Sequence, residues 1–318
     1  MTETKTAILS EALDVQRVMG IYPKSNEKKG TVLLISGAVH GNEPSGLQAL
    51  KRVFHQLDLY QPDIIGKVIG ITGNLRAVKE RKRLIDKDLN RVCTPDLAQI
   101  LKNGQLADFH EAGEFQELLK IVEEIELNIN CTAIKFVDLH TTSSNTAPYI
   151  SVNKKSESLD FANKIPLPVA SGIEDFIPGH FDHFLTLRGH IGFTVEGGQH
   201  EDPRSVDHHE AVIWQTLVKS GLIDQQNIPK YSEFEQKLKE VSVMDKAFRV
   251  IHRHEIMPSE EFLMKDGFNN FDKILKGEIL AYTNGQPVLS QWDGHIFLPL
   301  YQQQGNDGFF VIKESDGD

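Results

Sequence analysis

The chain has 318 residues, enough for one large domain and a small one, with 40% hydrophobic and 25% charged residues as in soluble globular proteins. The formal net charge of -11 argues against general nucleic-acid binding, and no apolar run approaches the ~18 residues of a membrane span. The N-terminus lacks a basic stretch followed by a hydrophobic one, and Cys93 and Cys131 form no metal-binding pair. We therefore expect a cytoplasmic protein with free thiols, and neither nucleic acid nor a membrane as its partner.

The first predicted strand, residues 32–35, leads into a loop with two potential metal ligands. His40 and Glu43 follow the strand, and Pro44 suits the first turn of a predicted helix. Both side chains would lie at the carboxyl end of a buried strand, where open α/β sheets place their functional groups. Imidazole and carboxylate are ligands of catalytic zinc, although a His-x-x-Glu pair alone equally fits two surface residues.

Residues 76–91 follow the next predicted strand, residues 64–72, and form the most basic stretch of this acidic chain. A solvated loop surface would explain the seven basic residues that lie there beside three acidic ones. A substrate carboxylate, however, also requires local positive charge, and arginine suits planar bidentate recognition. Arg83 and Arg91 are therefore interpreted as functional, and the lysines as mostly solvated.

Two later strands end at polar side chains in a similar way. Residues 134–137 are followed by Asp138 and His140, and residues 191–195 by Glu196 and two glycines. His140 alone also fits an ordinary histidine at the end of a strand. Two imidazoles and one carboxylate are the ligands of hydrolytic zinc sites that keep one position open. Asp138 would then orient an imidazole, and Glu196 is a candidate base.

The rest of the chain supplies further helices and a β-rich C-terminal part. Helices are predicted at residues 111–130, 157–162, 205–222 and 231–241, and a strand at residues 149–152. Ser205 is a candidate N-cap, and His208 and His209 are expected at the surface. Residues 173–190 are predicted to be loop-rich, with His180 and His183 lining a cleft or facing solvent rather than forming a second metal pair. After residue 244, short alternating runs between turn signals indicate an all-β module.

Four motifs occur in the order and context of one family. They are GAVHGNE at residues 37–43, DLNR at 88–91, DLHTTSSN at 138–145 and TVEGG at 194–198. Through them the chain resembles the aspartoacylase and succinylglutamate desuccinylase family, a branch of the zinc metallocarboxypeptidase fold. The resemblance implies an α/β fold, with a mixed sheet flanked by helices and a small C-terminal all-β domain. The expected division is a catalytic domain of residues 1–235 and a β domain of residues 243–318 that narrows access to the site.

The resemblance also implies a catalytic centre. His40, Glu43 and His140 would hold one Zn²⁺ per chain. Glu196 would act as general base and proton shuttle, and Arg83 would polarise the scissile carbonyl and stabilise the oxyanion.

A second set of residues would bind the substrate. By the resemblance, Asn90 and Arg91 would hold a substrate carboxylate, and Arg188 is a candidate for a further substrate-binding arginine. Leu84 departs from the tyrosine of related motifs, and Tyr301 is a candidate for the C-terminal tyrosine of the family.

The predicted activity is zinc-dependent hydrolysis of the amide bond in a small, carboxylate-bearing N-acyl amino acid. One alternative is a metallocarboxypeptidase-type peptidase, and another is a non-catalytic binding protein that keeps the pocket. The DLNR and Glu-Gly-Gly motifs favour the deacylase. The acyl group, the amine and the oligomeric state stay open, a homo-oligomer included.

Overall fold

The computed structural model describes residues 15–24, 28–105, 107–242, 246–301 and 305–315. Its strands in chain order are β1 (Val18–Tyr22), β2 (Gly30–Gly37), β3 (Gly66–Thr72), β4 (Cys131–Thr142), β5 (Tyr149–Val152), β6 (Val169–Ser171), β7 (Ile191–Gln199), β8 (Ala247–Glu255), β9 (Phe262–Met264), β10 (Lys273–Ile274), β11 (Ile279–Thr283), β12 (Gln286–Leu289), β13 (Gly294–Phe297) and β14 (Asp307–Glu314).

The helices lie mainly between the strands of the first three quarters of the chain. They are α1 (Ser45–Tyr60), α2 (Leu75–Glu80), α3 (Pro95–Lys102), α4 (His110–Glu126), α5 (Ser156–Ala162), α6 (Phe181–Leu187), α7 (Arg204–Lys219) and α8 (Tyr231–Val241). Among the described residues, every helix is too short or too polar to cross a membrane.

A large mixed sheet organises the fold, with the strand order β1-β3-β2-β4-β7-β5-β6-β8-β14-β13-β10. Its neighbours β3, β2, β4 and β7 are parallel, and helices cover both faces. Leu33 and Ile35 of β2 pack on the face that contacts α1, α7 and α8, whereas Val32 and Leu34 pack on the face of α3, α4 and α6. Burial on both faces explains why this strand is an uninterrupted apolar run in the sequence.

The C-terminal part of the chain consists mainly of β-strands, as predicted, and most of these strands extend the same sheet. Strand β8 pairs in parallel with β6, and β14, β13 and β10 continue the sheet beyond it. Only β9, β11 and β12 form a separate, antiparallel sheet in the described part of the chain. The predicted fold class of a flanked mixed sheet with a small C-terminal β part is thus confirmed. The division into residues 1–235 and 243–318 stays a prediction.

Several predicted boundaries differ from the structure. The segment 173–190 was expected to be loop-rich but contains α6, and the basic stretch 76–91 begins inside α2. His140 and Glu196 lie within β4 and β7 rather than after them, because both strands continue past their apolar runs. Ser205 does not cap α7, since its buried hydroxyl donates to the backbone oxygen of Gln199.

Candidate active site

A tight loop after β2 buries His40 and Glu43 at the carboxyl edge of the sheet. The backbone of Ala38 turns there with a φ of 54°, which non-glycine residues seldom adopt. Gly41 lies so close to α2 that a Cβ would come within 2.1 Å of the carbonyl carbon of Ala77. Only 4% of His40 and 1% of Glu43 remain exposed, so the loop holds both side chains inside the molecule.

Glu43 is the point on which two imidazoles converge. Its Oε1 lies 2.9 Å from Nδ1 of His40, and its Oε2 lies 3.1 Å from Nδ1 of His140. The backbone N–H of Thr141 also donates to Oε2, at 2.9 Å. The structure therefore brings together the three residues that the sequence predicts as metal ligands, as a buried cluster that could hold a metal ion.

The far side of each imidazole is held by another carboxylate. Nε2 of His40 donates to Asp88 at 2.9 Å, and Nε2 of His140 donates to Asp138 at 2.9 Å. With these protons committed, the Nδ1 atom of each ring faces Glu43 and can carry either a second proton or a metal ion. Although burial opposes it, Asp138 and Glu43 hold the pKa of His140 well above its usual value. The cluster therefore requires positive charge at its centre, and a carboxylate behind each imidazole is typical of metal-binding histidines.

Glu196 lies next to this cluster on the same face of the sheet. It pairs in register with His140 on β4 and with Tyr149 on β5. Its Oε2 is buried and has no hydrogen-bond partner among the described residues. Burial raises the pKa of Glu196 to about 8. A carboxyl group with these properties can both accept and return a proton near neutral pH.

A cavity lies beside the cluster, and the side chains of Arg83 and Asn90 line it. Nη2 of Arg83 donates to Asp88 at 3.1 Å, and Nη1 lies 3.4 Å from Oε1 of Glu43. Oδ1 of Asn90 accepts from the backbone N–H of Phe181 at 2.8 Å, so its amide group keeps its N–H donors for other partners. Asp88 contacts both His40 and Arg83, a role that the sequence analysis missed. Its only sequence signal is its place in the DLNR motif.

Arg91 lines the cavity, whereas Arg188 does not. Arg91 donates to Asp307 at 2.8 Å and contacts His180 at 3.1 Å. His180 is buried in the cavity wall, as expected of a residue that lines the cleft. The guanidinium of Arg188 instead forms an ion pair with Glu126 away from the cavity. The structure gives no support for the prediction that Arg188 binds substrate.

Tyr301 is 40% exposed, and its hydroxyl is engaged by the backbone. It accepts from the N–H of Phe268 at 3.0 Å and lies 3.0 Å from the carbonyl oxygen of Lys265. Tyr301 does not line the cavity. The structure gives no support for a role of this residue in the site.

His209 lies directly beneath the cluster, although the sequence analysis expected His208 and His209 at the surface. The exposed fractions are 7% for His208 and 0% for His209, so this expectation is wrong. Nε2 of His209 donates to the backbone oxygen of His140 at 2.9 Å. Its ring occupies the space beside Gly197, where a Cβ would come within 2.4 Å of Nε2. Apolar residues on several sides of α7 are the signal that predicts burial all round.

Glu111 fixes the backbone of the loop that carries Arg83. Its carboxylate accepts from three consecutive backbone N–H groups, those of Ile85 at 2.7 Å, Asp86 at 3.1 Å and Lys87 at 2.9 Å. Glu111 is fully buried at the start of α4. A buried charge is stable only when it is paired or hydrogen-bonded, and these contacts satisfy it.

The cavity beside the cluster has a volume of about 420 Å³, which suits a small ligand. Its floor includes Tyr149 and Ser151, which pair in register with Glu196 and Thr194. The hydroxyl of Tyr149 is buried and has no partner among the described residues. C-terminal side chains, including Phe297 and Asp307, also contribute to the lining.

The fold and the cluster define a mixed α/β protein with a candidate His-Glu-His metal centre at the carboxyl edge of its sheet. The family model of the Succinylglutamate desuccinylase/Aspartoacylase catalytic domain matches residues 29–222 of this chain. The chain therefore belongs to this family. The resemblance predicted from the four motifs is thus confirmed.

Two relatives agree with this assignment, and a solved structure shares the fold. A probable aspartoacylase of Nostoc sp. is 28% identical over 177 residues, which span 52% of this chain and only 54% of that relative. A succinylglutamate desuccinylase of Serratia proteamaculans is 23% identical, over 86% of this chain and 82% of its own. The crystal structure of a succinylglutamate desuccinylase/aspartoacylase from Rhodobacter sphaeroides has the same fold, with a TM-score of 0.65, 17% identity, and coverage of 91% of this chain and 87% of its own.

Proposed function

We propose that the chain is a zinc-dependent deacylase that hydrolyses the amide bond of a small N-acyl amino acid. Membership of the desuccinylase and aspartoacylase family supports this reaction class. The observation that carries the proposal is the convergence of His40, Glu43 and His140 beside Glu196, whose Oε2 lacks a partner among the described residues. The expected cytoplasmic location stays a prediction.

The three residues offer the kinds of ligand atom that zinc prefers. His40, Glu43 and His140 offer two nitrogens and a carboxylate, with no sulfur, which is a ligand set of catalytic zinc sites. Asp88 and Asp138 hold the outer nitrogens and so fix both imidazoles with Nδ1 directed inwards. When bound, zinc would supply Lewis acidity and lower the pKa of a water molecule to near ~7.

Glu196 is the residue that would move the proton. Its free Oε2 would accept a proton from the attacking water and later deliver it to the nitrogen of the leaving amine. Its pKa of about 8 reflects burial, and a nearby divalent cation would lower it towards the working pH. Proton transfer in both directions then becomes feasible near neutral pH.

Arg83 and Asn90 would act on the substrate itself. The guanidinium of Arg83 lies within 3.4 Å of Glu43, so it can donate to the carbonyl oxygen on which negative charge develops. One such donor typically contributes a factor of ~10²–10³ in rate. The amide group of Asn90, whose oxygen is fixed by the backbone of Phe181, would orient a carboxylate of the substrate.

The test is hydrolysis of a panel of N-acyl amino acids by the zinc-loaded protein, with acyl group and amino acid varied independently. We expect turnover of at least one member, and its loss in Glu196→Gln with zinc still bound. No turnover across the panel by zinc-loaded protein would overturn the proposal. Turnover of peptides with a free C-terminus, but of no N-acyl amino acid, would favour the peptidase alternative.

A further inference from the structure

The cavity beside the metal-ligand cluster has few positively charged side chains. Five carboxylates contribute to its lining, those of Glu43, Asp88, Asp182, Glu196 and Asp307. In the described part of the chain, the only arginines or lysines in the lining are Arg83 and Arg91. Each carboxylate of a substrate needs a complementary positive charge, and both lining arginines already contact carboxylates of the chain.

Arg91 already holds a carboxylate that belongs to the chain itself. Its Nη2 donates to Oδ2 of Asp307 at 2.8 Å. Its Nη1 donates to the backbone oxygen of Asn90 at 2.9 Å and contacts Nε2 of His180 at 3.1 Å. Three of the five N–H groups of this guanidinium are thus in use. A substrate carboxylate could therefore bind only to the N–H groups of Arg91 that are not yet in use.

Asp307 is held firmly in this position. Its Oδ1 accepts from Nε of Arg253 at 2.6 Å, so each of its oxygens contacts a different arginine. The side chains of Asp307 and Arg253 are 16% and 14% exposed, and water screens such partly buried charges only weakly. Asp307, 216 residues away from Arg91 in the sequence, therefore occupies the guanidinium that a further substrate carboxylate would need.

We infer that Asp307 makes this site selective for substrates that carry a single carboxylate and are otherwise uncharged, an inference that rests on the proposed deacylase function. The free N–H groups of Arg91 and the amide of Asn90 suffice for one carboxylate. A second carboxylate finds no unpaired arginine in the described lining, because Asp307 already occupies Arg91. Apolar lining from Ile173, Ile177 and Phe310 suits an uncharged group instead.

Isosteric substrates separate charge from shape in the test. The values of kcat/KM are compared for N-acetylglutamine against N-acetylglutamate, and for N-acetylasparagine against N-acetylaspartate. We expect the wild-type protein to prefer the amide member of each pair by at least about tenfold, because a second carboxylate would lose its hydration without gaining an unpaired cation. In Asp307→Asn, this preference should fall about tenfold.

Glu255→Gln is the matched control. Glu255 lies 3.3 Å from the same Arg253 but does not line the cavity, so its removal should leave the amide preference unchanged. Calorimetric affinities for free glutamine and glutamate provide a readout that does not depend on turnover. They should show the same preference in the wild-type protein and the same shift in Asp307→Asn.

Two results would overturn the inference while leaving the deacylase proposal intact. One is wild-type turnover that favours the dicarboxylates. The other is an amide preference that Asp307→Asn does not change. If Asp307→Asn does not fold, the wild-type ratios and the affinities for the free amino acids decide the question. Absence of turnover for every N-acyl amino acid would instead remove the deacylase proposal itself.

Discussion

His209 couples the metal-ligand cluster to the pH dependence of folding. The fully buried ring donates from Nε2 to the backbone of His140 and lies 3.3 Å from the hydroxyl of Ser45 at Nδ1. The neutral imidazole satisfies both contacts. Burial lowers its pKa from 6.5 to about 4, so that the folded protein resists protonation of this ring.

The size of the effect follows from this difference in pKa. Between pH 6.5 and 4, the unfolded chain binds a proton at residue 209 that the folded chain excludes. The free energy of unfolding therefore falls as the pH is lowered through this range. Between pH 7.5 and 5, the loss from His209 alone is about 2 kcal/mol, and it rises to about 3 kcal/mol by pH 4.

The substitution His209→Gln removes the titration but keeps an N–H donor near the position of Nε2. At pH 7.5 the variant should be less stable by about 1 kcal/mol, because it loses packing. At pH 5 the difference should vanish or reverse, since only the wild-type protein has lost the contribution of His209. Urea unfolding of both metal-free proteins at the two pH values measures this, and other titrating groups cancel in the difference. An equal loss of stability in both proteins on acidification would show that His209 does not contribute to the pH dependence of unfolding.

Three further substitutions test other parts of the site. Tyr149→Phe should lower kcat/KM about tenfold without loss of stability in urea unfolding, because the hydroxyl beside Glu196 lacks a partner among the described residues. Glu111→Gln should lower the free energy of unfolding by about 2–4 kcal/mol in the same assay. The substitution replaces one carboxylate oxygen, which accepts from backbone N–H groups, by an NH₂ group that can only donate. Arg188→Ala should change kcat/KM less than about twofold, since its ion pair with Glu126 lies outside the cavity. A tenfold loss in Arg188→Ala would restore its predicted role.

Much of the site could be predicted because its residues occupy the ends of buried strands. His40, Glu43, His140 and Glu196 each follow a largely apolar run, and parallel strands bring their carboxyl ends to one edge of the sheet. The same runs locate the central strands, since burial on both faces removes alternation from the sequence. The catalytic roles of these residues stay predictions.

Other features depend on tertiary packing that local patterns do not record. Arg188 lies close to Glu196 in sequence, yet it follows α6, whose packing turns its side chain towards Glu126. The seven-residue α6 itself was missed because it lies among glycines and histidines typical of loops. His209 was placed at the surface because it is polar, whereas the absence of a side chain at Gly197 gives it a buried position.

The central claim is that one bound zinc ion and Glu196 together perform the hydrolysis. The most direct test is to measure zinc content and N-acyl amino acid hydrolysis on the same samples of wild type, His140→Ala and Glu196→Gln. We expect one zinc per chain with turnover in the wild type, loss of both in His140→Ala, and bound zinc without turnover in Glu196→Gln. Turnover by metal-free wild type, or normal turnover in Glu196→Gln, would contradict it.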